Sequence, residues 1–282
     1  MSAHSVAWPD GSVEVAAPPR PPALRAPAIV RLAGGTAAMA QAELRKIRHD
    51  PFDILTRAVQ PMLWLFIFGT AMAHNHAIAP GGIEYRAYLA PGVMAQGALF
   101  VAIFFGLAVV WERDVGQLQR LLATPLPRSA MVLGKATGAA VRSLVQATLL
   151  LIVVAIAGVG LRWTVPGVIG ALALLALGTA SFACLSMLLA ACLRTRERFM
   201  GIGQLITMPL FFASSALYPL SVMPGWLHVL SRVNPLTYEV EGMRRCLDGT
   251  GAHELALDFL FVIGFLVVMA AAATKAYPRA VL

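Results

Sequence analysis

Residues 167–192 read GVIGALALLALGTASFACLSMLLAAC, a run without one ionised side chain. A helix needs about 20 apolar residues to cross the hydrocarbon of a bilayer. Outward from this run, five more stretches meet that requirement: 55–73, 92–111, 143–160, 199–218 and 257–273. Composition agrees. Of 282 residues, 59% are apolar and only 13% charged, and the mean hydropathy is +0.74. A soluble domain carries about a quarter charged residues, and a disordered chain is poor in apolar ones, so both classes are excluded. The expected fold is an all-α integral membrane protein with six transmembrane helices.

The polar segments orient those helices. The net charge is +8, and the basic residues lie between apolar runs rather than on one face, as in a nucleic-acid binder. With the N-terminus inside, 17 of the 22 basic residues fall on cytoplasmic segments. The positive-inside bias therefore predicts that both termini are cytoplasmic. An arginine at mid-span costs about 2.5–3.5 kcal/mol on insertion, against about 0.5 returned by a leucine. The third span is thus expected to start after Arg142. Residues 1–30 hold six prolines and no apolar core, so they are expected to be a disordered cytoplasmic tail and not a signal peptide. Ala33, Ala37, Ala40, Leu44 and Ile47 recur at helical spacing beside Arg31, Arg45 and Arg48. This pattern over 31–50 predicts an amphipathic helix on the inner leaflet. Residues 51–282 form the six-span domain.

Several chemistries are absent from the sequence. Gly134-Lys135 is followed by Ala136, so no phosphate-cradling G-x-x-x-x-G-K-[ST] loop exists. His253-Glu254 lacks the second histidine of a zinc-protease helix, and His74 and His76 alone do not make a metal site. No G-x-S-x-G elbow occurs. Cys184, Cys192 and Cys246 give no disulfide framework. The chain is expected to bind no cofactor or metal and to be no enzyme. Acidic residues border the spans, with Glu112 at the inner end of the second and Asp258 at the outer start of the sixth. No ionised residue is expected along the midplane. Gln96, Gln146, Gln204, Thr207 and Ser214 lie within the spans, where such groups bond neighbouring helices or line a path.

Two polar segments carry patterned residues. From Glu112 to Pro125, Val115, Leu118, Leu121 and Leu122 form a stripe beside Arg113, Gln117 and Arg120. A short amphipathic helix there lies flat on lipid or fits a groove of a soluble partner. From Pro219 to Leu247, outside the cell, Trp226, Val229, Leu230 and Val233 repeat as one helix. Asn234-Pro235 reads as a cap and first-turn proline of a second helix. Both are too short to span, so they are expected to re-enter or lie along the outer leaflet, with Trp226 and Tyr238 at headgroup level.

These residues resemble the membrane subunits of type-2 ATP-binding-cassette exporters, the group of daunorubicin-resistance and polysaccharide-export permeases. The family's Tyr-rich start of span two is matched by Tyr85-Arg86-Ala87-Tyr88-Leu89-Ala90-Pro91-Gly92. Its E-R-x-x-G-T-x-x-x-L-x-x-x-P element is resembled by Glu112, Arg113, Gly116, Leu121 and Pro125, with Gln117 where the family commonly has Thr. Its P-x-W-L…N-P-L-T-Y…R element is matched by Pro224, Trp226, Leu227, Asn234, Pro235, Leu236, Thr237, Tyr238 and Arg244. The likeness covers about residues 40–275 of the chain.

The resemblance implies that Glu112–Pro125 is a coupling helix docking on a separate ATPase, through Glu112, Arg113, Gly116, Leu118, Arg120, Leu121, Leu122 and Pro125. It implies that Pro219–Leu247 forms external re-entrant helices shaping an exit. It also implies two permease subunits, identical or not, with two ATPase subunits that hold ATP and magnesium, in a bacterial cell membrane. The expected cargo is hydrophobic or amphiphilic, drug-like or lipid-like, with a lipid-linked polysaccharide as the alternative. A proton-coupled carrier, a reading of another class, would require Asp258 or Glu112 to titrate within the bilayer.

Overall fold

The computed structural model describes residues 28–49, 51–73, 84–122, 127–161, 163–193, 195–249 and 251–277. The expectations for the tail at 1–27, for His74 and His76, and for Pro125 lie outside them. The regular elements among the described residues are helices: α1 (Ala28–His49), α2 (Pro51–Leu63), a π segment (Trp64–Phe68), α3 (Gly69–Ala73), α4 (Tyr85–Asp114) and α5 (Gln117–Leu122). They continue with α6 (Arg128–Ile156), α7 (Val165–Cys192), α8 (Arg196–Phe212), α9 (Gly225–Val233), α10 (Pro235–Asp248) and α11 (Ala252–Ala276).

Among the described residues four helices are long and apolar enough to cross a membrane: α4, α6, α7 and α11. The first and fifth expected spans fall short for local reasons. In the first, Pro61 lies inside α2 and a π turn follows. Proline has no N–H, so the carbonyl four residues back loses its helical donor. Gln146 Nε2 donates to that carbonyl, Arg57 O, at 3.4 Å. In the fifth, α8 has 17 residues, roughly 25 Å at 1.5 Å per residue, and residues 213–219 continue without a helix.

The α7 helix is the hub, packed by α4, α6, α10 and α11. Small residues permit close approach where apolar burial gives no preference over lipid. A Cβ on Gly106 of α4 would lie 2.1 Å from Ser186 Oγ, which itself donates to Ile103 O at 2.9 Å. The α1 helix lies on α6 with Gly35 buried, while Ala33, Ala37 and Leu44 of the sequence-predicted stripe are exposed.

The helix that carries the third expected span extends well before Arg142. The third long helix begins at Arg128, and both of its interior cations turn toward protein. Lys135 is buried and paired, and the Arg142 guanidinium lies 5.5 Å from the centre of the Phe105 ring. A charge facing neighbouring helices does not meet the lipid that makes it costly.

Candidate functional site at the broken fifth helix

Backbone that leaves a helix at membrane depth must find new partners for its carbonyls. Past α8, side chains supply them. Tyr85, Tyr88 and Gly92 are spaced i, i+3, i+7 and share one face of α4. The Tyr85 hydroxyl donates to Leu217 O at 2.8 Å, and the Tyr88 hydroxyl to Ser215 O at 3.2 Å. Gly92 admits the chain itself: a Cβ there would lie 2.2 Å from Ala216 O. Ser214 Oγ donates to Phe211 O at 2.7 Å and accepts from Ala216 N at 3.2 Å.

Arg244, buried on α10, closes the site. Its Nη2 donates to Ser215 O at 2.7 Å, its Nε to Tyr88 O at 3.2 Å, and its Nη1 to Glu241 Oε1 at 2.9 Å. The guanidinium carbon lies 3.6 Å from the Tyr88 ring centre, a cation–π contact. A rigid planar fork suits this divergent set of acceptors, which an ammonium would not span.

The hairpin of α9 and α10 pivots on Asn234. Its Oδ1 accepts from Leu236 N at 3.0 Å, so it caps α10 as the sequence predicts. Its Nδ2 donates to Leu210 O at 2.7 Å, near the end of α8. Pro224 stands at the N-cap position of α9, one residue before the helix. Trp226 is exposed, as are Val229, Leu230 and Val233, so the apolar face of α9 points away from the bundle. The Tyr238 ring stacks 3.8 Å from Phe261, and its hydroxyl donates to Arg232 O.

At the other end, α4 does not continue into the short helix. It stops at Asp114, Gly116 takes a left-handed φ of 72°, and only Gln117–Leu122 forms α5. Glu112 and Arg113 thus belong to the long helix and point inward. Lys135 Nζ donates to Glu112 Oε1 at 2.6 Å, with the lysine side chain 2% exposed. Arg113 Nη1 donates to Leu193 O, at the end of α7, at 3.0 Å. Leu118 is fully buried against its own chain, in a cluster with Val109, Met131, Phe199 and Tyr277, whereas Val115 and Gln119 are exposed. The side chains of Arg120, Leu121 and Leu122 lie outside the described residues.

The uncharged polar candidates are mostly bonded within the chain. Gln146 serves Arg57 O and occupies space that a Cβ on Gly97 would take. Thr207 donates to Gly203 O. Gln204 is exposed, and Gln96 is buried with its Oε1 unpartnered. A narrow groove between α4, α7 and α8 is lined by Leu99, Ile103, Phe182, Ile206 and Leu210, with Thr207 on its wall.

Sequence reasoning missed two ionisable residues. Lys135 drew notice only as a failed phosphate loop. Glu239 was passed over entirely, yet it is 1% exposed and packed against Gly178 of α7. Glu239 reaches this position because α10 packs on α7, and Gly178 lies midway along that 28-residue helix. Among the described residues no group of three potential metal ligands occurs.

These features define a polytopic helical membrane protein with a hairpin of two short helices at one end of α4 and a short helix hung from its other end. The chain belongs to the ABC-2 type transporter family, whose sequence model matches residues 35–247. It is 30% identical over 204 residues to the ycf38 transport permease of Cyanophora paradoxa, covering 71% of this chain and 69% of that one. It is 29% identical to nodulation protein J of Sinorhizobium fredii, covering 76% and 82%. It is 22% identical to the daunorubicin resistance ABC transporter permease protein DrrB1 of Streptomyces coeruleorubidus, covering 82% and 81%. Permeases of this family are membrane transporter subunits, and their ATPase is a separate partner.

Proposed function

We propose that this chain is the membrane half of an ATP-driven export complex, with six membrane passes and both termini in the cytoplasm of a bacterial cell. Two copies, or one copy and a related subunit, pair with two ATPase subunits that bind ATP and magnesium. The first pass is α2 through α3, with its π turn, and the fifth is α8 with the non-helical stretch beyond it. The exposed stripe of α1 lies on the inner leaflet, and the apolar face of α9 lies in the outer one.

The observation that carries this reading is the mounting of α5. Leu118 fixes it to the core, Gly116 sets its angle to α4, and Val115, 62% exposed, presents an apolar surface to a partner. A force on α5 therefore acts directly on α4, whose other end holds the broken fifth helix through Tyr85 and Tyr88. The cargo is hydrophobic or amphiphilic, which the groove beside Thr207 supports, since its lining is almost wholly apolar. The relatives' names fit either a drug-like molecule or a glycan-bearing one, and the apolar groove favours the former.

Co-purification with an ABC ATPase subunit from the same cell tests the reading. Val115→Asp with Gln119→Arg is expected to leave the permease folded and to abolish cargo-stimulated ATP hydrolysis. Unchanged turnover in that variant would reject the assignment of α5.

A further inference from the structure

The buried acid on the hairpin has no structural counterpart. Glu239 is 1% exposed, and neither carboxyl oxygen has a hydrogen-bond partner. It fits only because residue 178 is glycine, where a Cβ would lie 2.1 Å from Oε2. Gly178 is midway along the 28-residue α7, so the carboxyl sits near the middle of the bundle.

The surrounding charges are committed elsewhere. On its own helix, Arg244 is taken by Glu241 and by the carbonyls of Tyr88 and Ser215. Arg245 pairs with Glu254 and Asp258 of α11. His253 of α11 is exposed at that helix's start. From α7 the titratable groups are Cys184 and Cys192, and α4 faces the hairpin with Tyr85 and Tyr88, both donating to carbonyls. The Tyr218 hydroxyl donates to Phe212 O. Among the described residues no cation pairs with Glu239. An ionised carboxylate without counter-charge or donor is strongly disfavoured in such a place, and the neutral acid is the form the site accepts. A divalent metal would need about six oxygen ligands, which one carboxyl does not provide.

We propose that Glu239 is a proton-binding site at mid-depth, and that its proton keeps the re-entrant hairpin seated on α7. When α10 lifts from Gly178, the carboxyl O–H bond breaks, the proton passes to water at the outer side, and the carboxylate becomes hydrated. Seating and protonation are one linked equilibrium. Unseating releases one proton, so each pH unit favours it by up to about tenfold. This goes beyond the export reading, because it concerns the chain alone and needs neither ATPase nor cargo.

Cys246 reports the seat, since it is buried on α10 where a Cβ on Gly170 would lie 2.9 Å from its Sγ. The test uses the full chain in lipid nanodiscs with Cys184→Ala and Cys192→Ala, followed by maleimide labelling between about pH 5 and about pH 9. Thiol reactivity itself rises with pH, so the readout is the labelling rate divided by that of Glu239→Gln. That ratio is expected to climb with pH by up to about tenfold per unit. An infrared band of a protonated carboxyl is expected at neutral pH, and Glu239→Gln is expected to remove it. Gly178→Ala is expected to speed labelling at every pH. Gly178→Ala with Glu239→Ala is expected to restore slow labelling without the pH-dependent excess, and it serves as the reference should Glu239→Gln misfold. A flat ratio, or no carboxyl band lost on substitution, overturns the proposal.

Discussion

Arg244 and Tyr88 hold each other twice. The guanidinium carbon lies 3.6 Å from the ring centre, and Nε donates to the carbonyl of the same residue at 3.2 Å. Both groups also donate to Ser215 O. Tyr88→Phe removes one neutral hydrogen bond and is expected to cost about 1 kcal/mol. Arg244→Lys keeps the charge but loses the fork, for about 1–3 kcal/mol. Thermal unfolding of the purified chain measures both, and the double variant is expected to deviate from the sum of the singles by at least about 0.5 kcal/mol. Strict additivity would mean the pair does not act as one anchor.

Asn234 performs two tasks with the two ends of one amide, so two substitutions separate them. Asn234→Asp keeps the acceptor for Leu236 N and loses the donor to Leu210 O, at an expected cost of about 1–3 kcal/mol for the orphaned carbonyl. Asn234→Ala loses the cap as well, adding about 0.5–2 kcal/mol. Equal unfolding midpoints for the two variants would show that the cap contributes nothing.

The Glu112–Lys135 pair is buried on the lysine side, and a broken buried pair leaves an uncompensated charge. Lys135→Met alone is expected to destabilise by about 3–5 kcal/mol, and Glu112→Leu with Lys135→Met to recover most of that loss. Denaturant midpoints decide this. A double variant no better than the single would mean that the residues act independently.

Gly92 marks the closest approach of α4 to the non-helical chain that follows α8. Gly92→Ala places a Cβ 2.2 Å from Ala216 O, backbone that cannot step aside as a side chain would. An overpacking cost of about 1–3 kcal/mol is expected. Proteolysis near residues 213–219 is expected to quicken in parallel. Wild-type resistance there would contradict the contact.

What could be read from sequence divides by range. The apolar runs of α4, α6, α7 and α11, the cap at Asn234 and the proline at 235 are local, and they stand where the sequence predicts them, whereas the runs at 55–73 and 199–218 fall short. The amphipathic stripe at Val115, Leu118, Leu121 and Leu122 was legible as a pattern but not in direction. The same spacing serves packing on the chain's own core and docking on a partner, and Leu118 does the former. Partnerships such as Glu112 with Lys135, or Arg244 with residue 88, join positions far apart in sequence, and no local signal announces them. Glu239 was invisible for a related reason: depth is a property of the packed hairpin, and a polar-looking helix between two spans reads as external.

The two ends of α8 are tied to different parts of the molecule. At its start, Arg196 pairs with Asp114 at 2.7 Å and lies over the Trp111 ring, at the foot of α4. Near its finish, Leu210 O is held by the hairpin's Asn234. Between those ties it touches its neighbours sparingly. The helix is thus arranged like a pushrod, able to carry a displacement from the foot of α4 to the hairpin of α9 and α10 alongside the turn after residue 212.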